Sequence, residues 1–157
     1  MIAAVVALVA VSASPAAAYP GSDLTNKGLA VYKQGSGSSP TQLTVNQYIW
    51  NDVVFKNAAT GQVYSVTKLW LVVQSDGNLV LYKHPSGGST QVCWAVNQYQ
   101  ANAPSPKLIY TSTGRAQLWW DNVLKWQSGA YGGSSIDISG STGQLYIGYQ
   151  PISPACY

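Results

Sequence analysis

Apolar and polar residues alternate in short runs along most of the chain, at residues 42–49, 63–73, 78–82, 108–110, 116–120 and 144–149. A period of two places successive side chains on opposite faces, so each run predicts a half-buried strand. Clusters rich in Gly, Ser, Pro and Asn separate the runs at residues 35–40, 58–61, 85–89, 102–106 and 129–135. No segment sustains a 3.6-residue period over a useful helical length. Many short strands with turn signals between them predict an all-β fold, whether sandwich, barrel or prism.

The alternating pattern repeats. Leu71-Val-Val-Gln-Ser-Asp-Gly-Asn-Leu-Val-Leu-Tyr82 is matched 37 residues later by a stretch in which Ser75, Gly77 and Leu81 return as Ser112, Gly114 and Leu118. At a shift of 66, Ser141-Thr-Gly-Gln-Leu-Tyr-Ile147 follows the same pattern more loosely. A tryptophan follows each of the first two copies, Trp94 and Trp126. A fourth echo, at residues 25–32, is fainter still. Three hairpin units, each unable to bury its own face, predict packing around a common axis.

The N-terminus breaks this pattern. Residues 2–11 are unbroken apolar, and Ser-Ala-Ser-Pro then leads into Ala16-Ala-Ala18. An apolar core of about ten residues ending in small residues reads as a secretory signal peptide. Residues 1–18 are therefore expected to be removed, leaving residues 19–157 as one secreted domain. No Lys or Arg precedes the apolar run, and a buried N-terminal helix is the competing reading. No other stretch approaches the roughly 20 apolar residues of a membrane span, so no membrane insertion is expected. Export makes the cysteines readable: Cys93 and Cys156 are the two in the chain, and an oxidising compartment favours joining them.

Composition then narrows the chemistry. Of the 157 residues only 8% are charged, with 8 Lys+Arg against 5 acidic groups, all of them aspartates. An average soluble protein is about 25% charged. With no glutamate and one histidine, His84, most acid–base, hydrolytic and metal chemistries lack parts, so neither an enzyme nor a cofactor is expected. His84, beside Pro85 at a Gly/Ser-rich turn, is expected to be exposed. A net charge of +3 over scattered cations is too thin for nucleic acid. Low charge with six Trp and eleven Tyr suits a neutral, hydroxyl-rich partner.

The most informative stretch is Gln74-Ser-Asp-Gly-Asn-Leu-Val-Leu-Tyr82. Asp76-Gly77 between two apolar strands predicts a tight hairpin. After the turn Asn78, Val80 and Tyr82 share one face, while Leu79 and Leu81 point to the core. The polar face then gathers two amides (Gln74, Asn78), a carboxylate (Asp76), a phenol (Tyr82) and an aliphatic patch (Val80). Such directed donors and acceptors around an apolar floor suit the vicinal hydroxyls of a sugar. The competing reading is an ordinary polar strand face.

Gln74-x-Asp76-x-Asn78-x-Val80-x-Tyr82 resembles, at all five positions, the Q-x-D-x-N-x-V-x-Y motif of bulb-type mannose-binding lectins. Trp94-Ala95 and Trp126-Gln127-Ser128-Gly129 stand where those lectins carry a Trp-Ala or Trp-Ser segment. The likeness is best over residues 68–129. It implies a β-prism II of three antiparallel four-stranded subdomains with pseudo-threefold symmetry, and calcium-independent recognition of mannose. It also implies roles: Asp76 and Asn78 on the 2-hydroxyl, Gln74 on the 3-hydroxyl, Tyr82 on the 4-hydroxyl and Val80 against ring carbons.

The other two copies depart from the motif. The second carries Thr111, Thr113, Arg115, Gln117 and Trp119 at these places, and the third Gly140, Thr142, Gln144, Tyr146 and Gly148. Both are expected to be scaffold, the competing reading being sites of altered specificity. Residues 19–70 exceed one subdomain, which predicts an added strand or a long loop beside the intact site. Trp70, Tyr110, Trp119 and Trp120 are expected chiefly in the core; the competing reading is a second aromatic sugar platform, and alternation allows one of Trp119 and Trp120 to face outward. The function expected is a secreted lectin with one site for mannose or mannose-rich glycans, whose cross-linking would need a homo-oligomer. The alternative is a protein-interaction or toxin-like module with a vestigial sugar site.

Overall fold

A computed structural model describes residues 23–157. The signal peptide expected at residues 1–18 lies outside the described residues. The described chain is all-β, with thirteen strands in three sheets and no helix among the described residues. The strands are β1 (Thr25–Asn26), β2 (Ala30–Tyr32), β3 (Gln42–Thr44), β4 (Gln47–Lys56), β5 (Val63–Val73), β6 (Leu79–Pro85) and β7 (Gln91–Ala95). They continue as β8 (Pro106–Tyr110), β9 (Ala116–Trp120), β10 (Val123–Gln127), β11 (Ser135–Ile138), β12 (Leu145–Ile147) and β13 (Gln150–Pro151).

The first sheet runs β1-β4-β5-β6-β7, the second β10-β9-β8-β3 and the third β13-β12-β11-β2. Each is centred on one repeat hairpin: β5–β6, β8–β9 or β11–β12. Their inward residues meet in one core, which includes Ile49, Leu71 and Leu81 from the first sheet, Leu43, Leu108 and Leu118 from the second, and Val31, Ile136 and Ile147 from the third. The period-two pattern thus becomes three amphipathic sheets, each of which buries its apolar face only against the other two.

Two features differ from three four-stranded antiparallel units. The first sheet has five strands, because β1 adds in parallel to the edge of β4, with Thr25 N–H donating to Asn46 O at 2.8 Å. This is the added strand that the length of residues 19–70 predicts. The second and third sheets, moreover, are completed from the N-terminal region, by β3 on β8 and β2 on β11. The faint echo at residues 25–32 is therefore not a fourth unit, since β1 and β2 belong to different sheets.

Side chains stitch the sheets together. Asn51 Nδ2 donates to Ile138 O at 2.7 Å, joining the first sheet to the third. Cys93 and Cys156 form a disulfide across a sequence separation of 63, tying the C-terminal segment to β7. The bond fits an oxidising environment. Among the described residues no helix is long and apolar enough to cross a membrane.

Candidate functional site

The five motif residues lie on the β5–β6 hairpin and its turn. Gln74 N–H donates to Asn78 O and Gly77 N–H to Gln74 O, both at 2.9 Å, closing a tight loop. Gly77 has φ +84°, and a Cβ there would run into the Trp120 indole and Ala103. Trp120 Nε1 donates to Gly77 O at 3.0 Å, so the second sheet pins the turn of the first. A side chain at position 77 would break both the conformation and the contact.

Beyond the turn Leu79 and Leu81 enter the core, as alternation predicts, and Val80 and Tyr82 face the other way. They do not lie open. Val80 is 2% and Tyr82 3% exposed, in a second apolar cluster with Trp70 and Val72 against which Leu24, Tyr48, Trp50 and Ala95 pack. The Trp70 and Tyr82 rings stack with centroids 5.6 Å apart. Trp70 thus belongs to the motif face rather than to the central core, whereas Tyr110 and Trp120 are buried within the body of the protein. Trp119 is the outward member of its pair, with Nε1 donating to Gln117 Oε1 at 3.1 Å.

The polar motif groups are partly spent on one another. Gln74 Nε2 donates to the Tyr82 hydroxyl at 2.8 Å. Asp76 Oδ1 accepts from Asn78 N–H at 3.0 Å, and Asn78 Oδ1 accepts from Leu79 N–H at 3.0 Å. Among the described residues no hydrogen bond takes up Asp76 Oδ2 or Asn78 Nδ2. The turn therefore retains one anionic acceptor and one amide donor, two residues apart.

The degenerate copies explain the rest. Thr111 N–H to Arg115 O and Ser139 N–H to Gln144 O, both 2.9 Å, close the equivalent turns. Gly114 and Gly143 have positive φ as Gly77 does. The third turn is one residue longer, so Ser139 rather than Gly140 takes the place of Gln74. In the second and third copies a serine hydroxyl receives the strand N–H: Ala116 N–H donates to Ser128 Oγ at 3.0 Å and Leu145 N–H to Ser153 Oγ at 2.8 Å. In the first copy Val96 N–H donates to Leu79 O at 3.0 Å, as Ser128 N–H does to Ala116 O in the second and Ile152 N–H, beside Ser153, to Leu145 O in the third. Val96 brings no hydroxyl, and Asn78 supplies the acceptor.

Register brings further residues to the motif face. Across β4, β5 and β6 lie the rows Tyr48–Val72–Val80, Trp50–Trp70–Tyr82 and Asp52–Lys68–His84. Period-two alternation puts Tyr48, Trp50 and Asp52 on one face of β4, but which residues stand beside them is set by pairing that no motif announces. His84 lies in β6 rather than in the turn, half-buried, with Nδ1 3.0 Å from Thr90 Oγ1. The pairing of β6 with β5 continues through Lys83 to Pro85 and carries it there. No cluster of three or more potential metal ligands occurs among the described residues.

Comparison of the chain with protein-family models, with curated proteins and with solved structures finds no match.

Proposed function

We propose that the protein is a secreted lectin-type binding protein that recognises mannose or mannose-containing glycans through the β5–β6 turn, without calcium. The observation that carries the reading is the pair Asp76 Oδ2 and Asn78 Nδ2, left over when the turn has made its own bonds. An acceptor and a donor at this spacing can bracket one hydroxyl, which both gives and takes a hydrogen bond. Gln74 and Tyr82 add an amide and a phenol beside this pair, hydrogen-bonded to each other at 2.8 Å. Three sheets around one core support a β-prism as the scaffold. Each solvent-competed hydrogen bond is worth about 1 kcal/mol net, so one site implies weak monosaccharide binding strengthened by multivalency.

A second reading has its own observation. The near-complete burial of Val80 and Tyr82 favours an interaction module in which the motif survives as packing. A glycan array of the wild type beside Asn78→Asp separates the two. Asn78→Asp keeps the oxygen that Leu79 N–H needs and removes only the amide donor. Mannose-type signal lost in the variant supports the lectin reading. Absence of glycan signal in the wild type sinks it.

A further inference from the structure

The motif face does not end at Tyr82. Where β1 joins the edge of β4, a cleft of about 260 Å³ opens, lined by Asn26, Tyr48, Trp50, Asp52, Lys68 and Trp70 among others. Asp52 is the informative member. Its Oδ1 is buried with no hydrogen-bond partner, and no ion pair or hydrogen bond engages its carboxylate among the described residues. A desolvated carboxylate oxygen without a donor is costly, and native proteins seldom keep one without a use.

The surroundings narrow what the donor is. Lys68 stands across the strand pair from Asp52 and lines the same cleft, so a cationic ligand would meet a like charge there. Asn26 commits its Oδ1 to Gly28 N–H at 2.8 Å, which leaves its amide nitrogen as a donor. Trp50 and Tyr48 add flat aromatic walls. A carboxylate, an amide donor and aromatic faces together fit a ring that is polar at its edge and apolar on its C–H face.

We propose that this cleft is a second saccharide site, taking one hexose ring, with vicinal hydroxyls donating to Asp52, Asn26 Nδ2 donating back and Trp50 against the ring carbons. The site is built by β1, β4 and β5 and uses none of the five motif residues. Two separate sites would let a single chain bridge two glycans.

Titration of the ¹⁵N-labelled protein with methyl α-mannoside tests this. The Trp50 indole N–H and Asn26 amide peaks move in the wild type and in Asn78→Asp. In Asp52→Asn their apparent affinity falls by about tenfold or more, while the amides of residues 74–79 respond as before. Trp50→Phe, read at the Asn26 peaks, guards against a local rearrangement in Asp52→Asn, and peak dispersion reports folding of both. Movement confined to residues 74–79 overturns the second site and leaves the motif reading standing. Movement confined to the cleft upholds the second site while the motif reading fails. No movement anywhere overturns both.

Discussion

Replacing Asn78 by alanine should destabilise the protein whether or not it binds sugar. The side chain supplies the acceptor for Leu79 N–H at 3.0 Å, at a residue only 2% exposed, where water is a poor substitute. A buried amide left without an acceptor costs about 1–3 kcal/mol. For a domain of this size, about 2 kcal/mol lowers the unfolding midpoint by roughly 6–10 °C. Ser128→Ala and Ser153→Ala remove the equivalent acceptors of Ala116 and Leu145 N–H and should fall by a similar amount. Asn78→Asp keeps an oxygen in place and should melt close to the wild type, with a small deficit from Asp76 that added salt relieves. Thermal unfolding of the four variants, followed by near-ultraviolet circular dichroism, is the assay. If Asn78→Ala melts with the wild type while both serine variants drop, the equivalence of the three acceptors is wrong.

Three further outcomes follow from the packing. Cys93→Ala with Cys156→Ala, or reduction, releases a loop of 63 residues and should cost about 4 kcal/mol on the chain-entropy model, measured by denaturant unfolding. Gly77→Ala meets both a positive φ and the Trp120 indole and should cost about 3 kcal/mol, whereas Gly61→Ala, with open space around it, pays only about 1 kcal/mol for the backbone. Burial, then the Asp137 carboxylate and the Tyr149 phenol, raises the Tyr110 hydroxyl above its ordinary value of 10.0. The folded state therefore holds this proton more tightly than the unfolded state. The resulting stability is complete below pH 10 and is lost as pH rises through the folded value. Tyr110→Phe should flatten this alkaline loss in unfolding curves taken between pH 9 and pH 11.

Alternation located the strands well where one strand filled one run. The runs at residues 63–73 and 116–120 coincide with β5 and β9. The run at residues 42–49 instead holds two strands, β3 and β4, in different sheets. The turn between them, with Asn46 at φ 61°, leaves both Leu43 and Ile49 facing the core, so the pattern runs on without a visible break. At the candidate site, the shared hairpin of the five motif residues and the inward Leu79 and Leu81 were legible from local sequence, whereas the burial of Val80 and Tyr82 was not. Trp50, Trp70, Asp52 and Lys68 were not, because their neighbourhood depends on the register of β4 on β5 on β6. Asn78's structural duty was also hidden, since it appears only when Val96 is compared in space with Ser128.

The two N-terminal strands have a consequence for how the molecule comes into being. Val31 pairs with Ile136 and Leu43 with Leu108, so β2 and β3 remain unmatched edges until most of the chain has left the ribosome. Pairings this distant are closed late, because the loop entropy must be met before the contacts reward it. The order of synthesis thus leaves the second and third sheets incomplete until their later hairpins emerge, whereas β4 to β7 of the first can pair as they are made. The Cys93–Cys156 bond belongs to that later stage, since Cys156 follows the last strand, β13.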